Sequence, residues 1–101
     1  STHYLPSFLV RIFTDHAYTK YQNGLSADYQ LEQADMLVKQ FQLESPDSRY
    51  SQLAVATLYW TYADYLVLQD KDPQPFLKQA IAAGSEEDIN KVVINNNTVS
   101  I

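Results

Sequence analysis

The residues best suited to chemistry or binding in this chain are carboxylates and tyrosines, because it has no cysteine and only two histidines. Asp28, Glu32 and Asp35 fall at i, i+4 and i+7, a spacing that places them on one side of a helix as an acidic stripe, with Lys39 positioned to pair with Asp35. The stripe suits a basic partner or a cation, or it is simply a solvated helix face. No histidine falls in step with it, so no metal site is predicted.

Tyrosine is the second abundant group, with eight copies among 101 residues. Tyrosine combines a large rigid contact area with a polar tip and is enriched at protein interfaces. Tyr18, Tyr21 and Tyr29 fall outside the apolar stripes of the predicted helices, which makes them candidate contact residues. The three tyrosines between positions 59 and 65 are expected to pack between helices with their hydroxyls reaching the surface.

Asp64 is the charged residue in the otherwise apolar run 53–68, where an unpaired charge would be costly. Three environments are open to it. It reaches solvent along a polar seam with Thr57 and Thr61, it pairs with an arginine or a tyrosine hydroxyl, or it lines a polar pocket with the two threonines.

No catalytic motif accompanies these residues. The sequence lacks metalloprotease, nucleophile-elbow, phosphate-loop and dinucleotide-binding patterns. His16 follows Asp15 directly, and adjacent helical residues point about 100° apart, so the two do not form a dyad. His16 is expected to pack, partly buried, on the core side of the first helix. We therefore expect a non-enzyme without a cofactor.

Charge and hydropathy exclude two classes of partner. The net charge is −5 and the seven basic residues are scattered, so no surface to neutralise a nucleic-acid backbone is predicted. The run 53–68 is shorter than the roughly 20 apolar residues that span a bilayer and contains Asp64, so a membrane helix is not expected either. The sequence leaves the compartment open, with the cytoplasm as the favoured expectation.

The elements that must position these residues are helices. Two glycines and four prolines in a chain that is 46% hydrophobic favour a single all-α domain with a sizeable core. Apolar spacing and capping signals predict helices over 6–22, 26–44, 46–69 and 73–83, and a short fifth one carrying Ile89, Val92 and Val93. The domain is expected to cover residues 1–94, followed by a C-terminal tail at 95–101.

Local signals mark where these helices begin, end and face the core. Asn23-Gly24 stops the first helix, Ser26 caps the second, and Ser45 with Pro46 opens the third. Apolar spacing assigns a core-facing stripe to the first helix, listed here in chain order: Phe8, Leu9, Ile12, Phe13, His16 and Ala17.

The two halves of the chain echo each other at a shift of 46 residues. Leu31-Glu32-Gln33-Ala34 falls on Leu77-Lys78-Gln79-Ala80, and the capping residues Ser26 and Asp72 coincide. Each half has an aromatic residue and then a small one in its first helix, and an alanine in its second helix. These residues are Phe13, Ala17 and Ala34 in the first half, and Tyr59, Ala63 and Ala80 in the second. In these positions residues 9–83 resemble the tetratricopeptide-repeat family. The resemblance implies two antiparallel helical hairpins that serve as a protein-binding scaffold without catalysis.

These features together predict a non-catalytic interaction module, which binds another protein, a peptide or a second copy of itself through an aromatic and acidic helical face. One alternative is a small acidic immunity or inhibitor protein that blocks a basic site on a toxin or enzyme. The other is a small-molecule-sensing domain whose pocket lies at Thr57, Thr61 and Asp64.

Overall fold

The computed structural model describes residues 4–83, and this part of the chain consists of four helices without a strand. The helices are α1 (Tyr4–Gln22), α2 (Asp28–Glu44), α3 (Arg49–Leu68) and α4 (Gln74–Ala83). They pack as two antiparallel hairpins, α1 with α2 and α3 with α4, and α3 also lies against α1 and α2. The predicted all-α class is confirmed. The predicted fifth helix and the tail at 95–101 lie outside the described residues.

Helix α3 is the centre of the fold because it has apolar residues on two sides. Its residues Ala54, Val55, Leu58 and Tyr65 join the main core cluster with α1 and α2. On another side, Ala63 packs with Leu77 of α4, next to the half-buried Trp60, Val67 and Phe76. The small side chains in this helix let its neighbours approach closely. Helix α3 therefore has neighbours on two sides.

The two hairpin turns have the same hydrogen bonds, shifted by 46 residues. After α1, the Leu25 N–H donates to Lys20 O at 3.0 Å and the Gly24 N–H donates to Tyr21 O at 3.1 Å. After α3, Lys71 N–H donates to Leu66 O at 2.9 Å and Asp70 N–H to Val67 O at 3.1 Å. Both are Schellman motifs, in which the residue after the helix adopts positive φ. That φ is 73° at Gly24 and 57° at Asp70.

The next helix of each hairpin also begins in the same way. Ser26 Oγ accepts from the Asp28 N–H at 3.3 Å, and Asp72 Oδ1 accepts from the Gln74 N–H at 3.0 Å. The repeated turn and start therefore give the echo in the sequence a structural counterpart. The likeness to one particular repeat family remains a prediction.

Two predicted helix starts differ from the structure. Ser26 does not occupy the N-cap position of α2, which belongs to Ala27, although the serine hydroxyl still binds the first helical N–H. The N-cap of α3 is Ser48 and not Ser45, because the Ser48 hydroxyl accepts from the Tyr50 N–H at 3.2 Å. The Ser45 N–H instead donates to Phe41 O at 2.8 Å and ends α2.

The buried face of α1 is rotated from the predicted one. Val10, Thr14, Ala17 and Tyr21 are buried, whereas Phe8 and Ile12 are 45% and 46% exposed and His16 is exposed. The core-facing predictions for these last three residues are therefore wrong. The physical reason is that α1 contacts both α2 and α3, so two neighbours set its rotation. Thr14 tolerates burial because its hydroxyl donates to Arg11 O at 3.0 Å.

Candidate functional site

A short hydrogen bond joins the first and third helices near the hairpin turns. The Tyr21 hydroxyl donates to Asp64 Oδ2 at 2.5 Å, across 43 residues of sequence. Burial raises the pKa of the Asp64 carboxyl, while the Tyr21 hydrogen bond acts in the opposite direction. Burial, together with the neighbouring Asp64 carboxylate, also raises the pKa of the Tyr21 hydroxyl. Of the three environments open to Asp64, the structure selects pairing with a tyrosine.

Tyr65 forms a second polar link beside the first. Its hydroxyl donates to Asp28 Oδ1 at 3.0 Å and accepts from the Ala27 N–H at 3.2 Å. Its ring stacks on that of Tyr21, with centroids 5.4 Å apart and planes 27° apart. The stacked pair therefore fixes the start of α2 against α1 and α3.

A cavity of about 440 Å³ opens next to this stacked pair. Besides Tyr21 and Tyr65, its lining includes Ser26, Asp28 and Gln69. Its volume lies within the range of small-molecule sites. A second cavity, of about 580 Å³, lies where the end of α2 meets α3 and α4, and its lining includes Val55, Tyr59 and Gln79.

Aromatic rings from α3 and α4 form a cluster on another part of the surface. Tyr62 stacks on Phe76 with centroids 4.9 Å apart and planes 16° apart. Tyr59 completes the cluster, 6.4 Å from Tyr62 and 5.8 Å from Phe76. All three side chains are partly exposed. We call Tyr59, Tyr62 and Phe76 the aromatic cluster.

The acidic stripe of α2, made of Asp28, Glu32 and Asp35, runs beside this cluster. Burial raises the pKa of Tyr62 to about 12, and the negative charges of Asp35, Glu32 and Asp28 add to that rise. Burial also raises the pKa of Tyr59, with Asp35 contributing and Lys39 opposing. The stripe therefore lies within electrostatic range of Tyr59 and Tyr62, on the helix that packs against α3. We call the two groups together the acidic–aromatic face.

Lys39 is the basic residue at the edge of this face. Its Nζ lies 2.7 Å from Asp35 Oδ2, as the i, i+4 spacing predicts. The Lys39 side chain is 68% exposed, so it can move away from Asp35 at little cost. Glu32 and Asp28 face solvent, with Asp28 anchored by Tyr65. The face therefore retains a surplus of negative charge.

The structure separates the three tyrosines that the sequence proposed as contact residues. Tyr18 and Tyr29 are exposed, at 53% and 64%, whereas Tyr21 is buried, so the prediction that it lies outside the core is wrong. Tyr18 lies edge-on to Tyr21, with ring centroids 5.5 Å apart, on α1. Tyr29 points away from the core on α2. None of the three belongs to the aromatic cluster.

The threonines proposed to line a pocket with Asp64 are occupied within their own helix. Thr57 Oγ1 donates to Leu53 O at 2.8 Å and Thr61 Oγ1 donates to Thr57 O at 2.7 Å. The cavity close to Asp64 is lined by its partner Tyr21 and not by the threonines. A ligand role for Thr57, Thr61 and Asp64 stays a prediction.

The prediction that Tyr59 and Tyr62 pack between helices is confirmed, since both pack against the main core cluster while remaining partly exposed. Their position beside Phe76 was not predicted. The i, i+3 spacing of Tyr59 and Tyr62 indicates that they share a side of α3. Only the docking of α4, which brings Phe76 onto Tyr62, and of α2, which brings the carboxylates, makes this side a surface feature.

Neither a metal site nor a membrane span is found in the described part of the chain. Within residues 4–83, no group of three or more histidine or acidic side chains is placed to hold a metal ion. None of the four described helices is both long and apolar enough to cross a membrane. Comparison of the chain with protein-family models, with curated proteins and with solved structures finds no match.

Proposed function

We propose that this protein is a non-catalytic interaction module that binds a basic segment of another protein on its acidic–aromatic face. The observation that carries the proposal is the placement of the Asp28, Glu32 and Asp35 stripe beside the partly exposed rings of Tyr59, Tyr62 and Phe76. Carboxylates attract lysine and arginine, and the partly exposed rings add apolar contact area beside them.

The overall charge supports this choice of partner. A net charge of −5 steers basic partners toward the molecule and repels nucleic acids. If the basic segment belongs to the working site of a toxin or an enzyme, the module acts as an inhibitor, which is the acidic immunity alternative. Both versions use the same face and differ only in what the partner loses on binding.

The test is affinity capture of the folded chain from its native lysate, with the stripe neutralised in one sample. The triple substitution Asp28→Asn, Glu32→Gln and Asp35→Asn removes three charges from the face. The matched control, Asp15→Asn, Glu44→Gln and Asp47→Asn, removes three charges from exposed positions elsewhere. We expect the partner to be retained by the control and lost with the stripe variant, and to elute as salt is raised.

Two results would contradict the proposal. Equal loss in both triple variants would mean that net charge, and not this face, holds the partner. Retention by both, together with retention after Tyr62→Ala, would mean that the partner binds elsewhere. A partner whose activity falls on binding, and recovers with the stripe variant, would favour the inhibitor version.

A second candidate function, small-molecule binding, is favoured by the cavity of about 440 Å³ beside Tyr21 and Tyr65. Its wall combines stacked rings with the polar groups of Ser26, Asp28 and Gln69, a mixture typical of ligand sites. A screen for ligand-induced thermal stabilisation tests it, with Gln69→Leu as the variant that should abolish a hit. A hit that survives this substitution would place the ligand elsewhere.

A further inference from the structure

Helix α2 carries an exposed apolar ridge on the side opposite the core. Tyr29, Met36 and Leu43 are seven residues apart and are 64%, 60% and 85% exposed. Seven residues are close to two helical turns, so the three side chains lie along one line of about 21 Å at 1.5 Å per residue. We call these three residues the outer ridge. Its three residues do not belong to the acidic–aromatic face on the flank of α2 nearest α3, although Glu32 of that face borders the ridge.

The ridge supplies one apolar residue in each heptad, half of the two that a coiled-coil seam has. A seven-residue apolar repeat keeps one line of a helix facing a second helix. The buried residues of α2, including Leu31, Ala34 and Val38, already account for its packing against α1 and α3. The core therefore does not require the apolar character of the outer ridge.

The ridge is symmetric about Met36. When a second copy of α2 lies antiparallel with Met36 opposite Met36, Tyr29 of each copy falls opposite Leu43 of the other. A two-fold axis through such a contact brings the same flank of both helices together. A self-complementary register of this kind is what an isologous dimer requires.

The charges beside the ridge fit the same register. Glu32 lies four residues before Met36 and Lys39 three after it, on the same flank of the helix. In the antiparallel arrangement, Glu32 of each copy therefore lies next to Lys39 of the other. The contact contains two opposite-charge pairs, and the Glu32 residues of the two copies remain apart. On the other flank, the amides of Gln33 and Gln40 face each other across copies.

We propose that the outer ridge of Tyr29, Met36 and Leu43 is a homodimer interface, in which α2 pairs antiparallel with α2 of a second copy around Met36. The occupant of this face is a second copy of the chain, because both the apolar spacing and the charge order are complementary to themselves. The contact is one helix wide, at the small end of protein interfaces, so the dimer is weak and forms reversibly.

Sedimentation velocity of the full 101-residue chain between about 10 μM and about 1 mM tests the proposal, since weak dimers fall in this range. We expect the wild-type chain to dimerise as concentration rises. Met36→Glu and Met36→Lys each place two like charges at the symmetry axis, and each should raise the dissociation constant at least about tenfold. An equimolar mixture of the two variants should restore the dimer, because opposite charges then meet.

The matched control is Ile12→Glu, which changes an exposed aliphatic residue of α1. It should leave the dissociation constant within about twofold. Glutamate is as good a helix former as methionine, and Met36 is exposed, so circular dichroism should show Met36→Glu folded. A chain that stays monomeric at about 1 mM would overturn the proposal. So would dimerisation that Ile12→Glu abolishes and Met36→Glu leaves intact.

Discussion

Replacing Tyr21 by phenylalanine should destabilise the protein more than any other single hydroxyl removal on α1. The substitution deletes the donor of the 2.5 Å bond to Asp64 and keeps the ring that stacks on Tyr65. Tyr21 is 7% exposed, so the loss of its hydroxyl removes a largely buried hydrogen bond. The ring and its packing remain, which isolates the hydroxyl.

The expected size follows from the charge of the acceptor. Hydrogen bonds to charged groups contribute about 1.5–3 kcal/mol, and neutral ones about 1 kcal/mol. Asp64 is only partly buried and recovers some solvation, so we expect a loss of about 1.5 kcal/mol at neutral pH. The matched control is Tyr18→Phe, which removes the same group from a side chain that is 53% exposed. Its effect should stay within about 0.5 kcal/mol.

The loss should also depend on pH in a defined direction. Burial raises the pKa of Asp64 above its ordinary value of 3.8, so the folded state favours the protonated carboxyl. The resulting stabilisation is fully present below pH 3.8 and is lost as pH rises through the raised pKa. Tyr21 opposes this rise in pKa, and its removal therefore makes the decline deeper. The cost of Tyr21→Phe should grow from about 1 kcal/mol near pH 4 to the larger value at pH 7.

Urea unfolding followed by the fluorescence of Trp60, the single tryptophan, measures these differences. Asp64→Asn removes the titrating group, so in that background the cost of Tyr21→Phe should no longer vary between pH 4 and pH 7. A double-mutant cycle then isolates the pair. A cost of Tyr21→Phe no greater than that of Tyr18→Phe, or a pH dependence that persists with asparagine at position 64, would contradict the stabilising role of the Tyr21–Asp64 hydrogen bond.

Three further outcomes follow from other parts of the structure. Asp70→Gly should raise the free energy of unfolding by about 0.5–1 kcal/mol, because Asp70 has a φ of 57° that glycine adopts without strain. Gly24→Ala should lower the free energy of unfolding by a similar amount. Thermal denaturation measures both changes. Leu58→Ala, at a fully buried position, should cost about 2–5 kcal/mol in urea titration, against less than about 0.5 kcal/mol for Leu43→Ala, which is 85% exposed. In an alkaline absorbance titration, the phenol that titrates with a pKa of about 12 should be absent in Tyr62→Phe. Neutralising the acidic stripe should lower the pKa of Tyr62 toward its ordinary value of 10.0. An unchanged pKa would mean that the stripe does not face Tyr62.

Several features could be predicted from local sequence because they depend on neighbours within a few residues. The stop at Asn23-Gly24 is one, since Gly24 adopts the positive φ that ends α1. The pairing of Lys39 with Asp35 is another, because i, i+4 residues are adjacent on any helix. The predicted N-caps of α2 and α3, by contrast, were one to three residues away from the observed ones. Ser45 and Ser48 are equally good caps, and the choice between them depends on where the chain must turn to bring α3 onto α1.

The candidate site depended on contacts that no local pattern encodes. The aromatic cluster joins Phe76 of α4 to tyrosines of α3, and the acidic stripe reaches it from α2. Each helix was predicted with an apolar side, but periodicity leaves its rotation open by a residue or more. For α1 that freedom led to the wrong prediction for His16, and it hid the burial of Tyr21.

The sequence by itself determined that this chain forms helices, how many the described part contains, and that the chain carries an acidic stripe with a surplus of tyrosine. These properties follow from composition and from spacing along one helix. The tertiary structure alone decided that Asp64 is paired with Tyr21, 43 residues away. It also decided which tyrosines are buried and which lie beside the carboxylates. The reason is physical: the rotation of each helix is set by all its neighbours at once, and only their joint packing fixes which side chains meet.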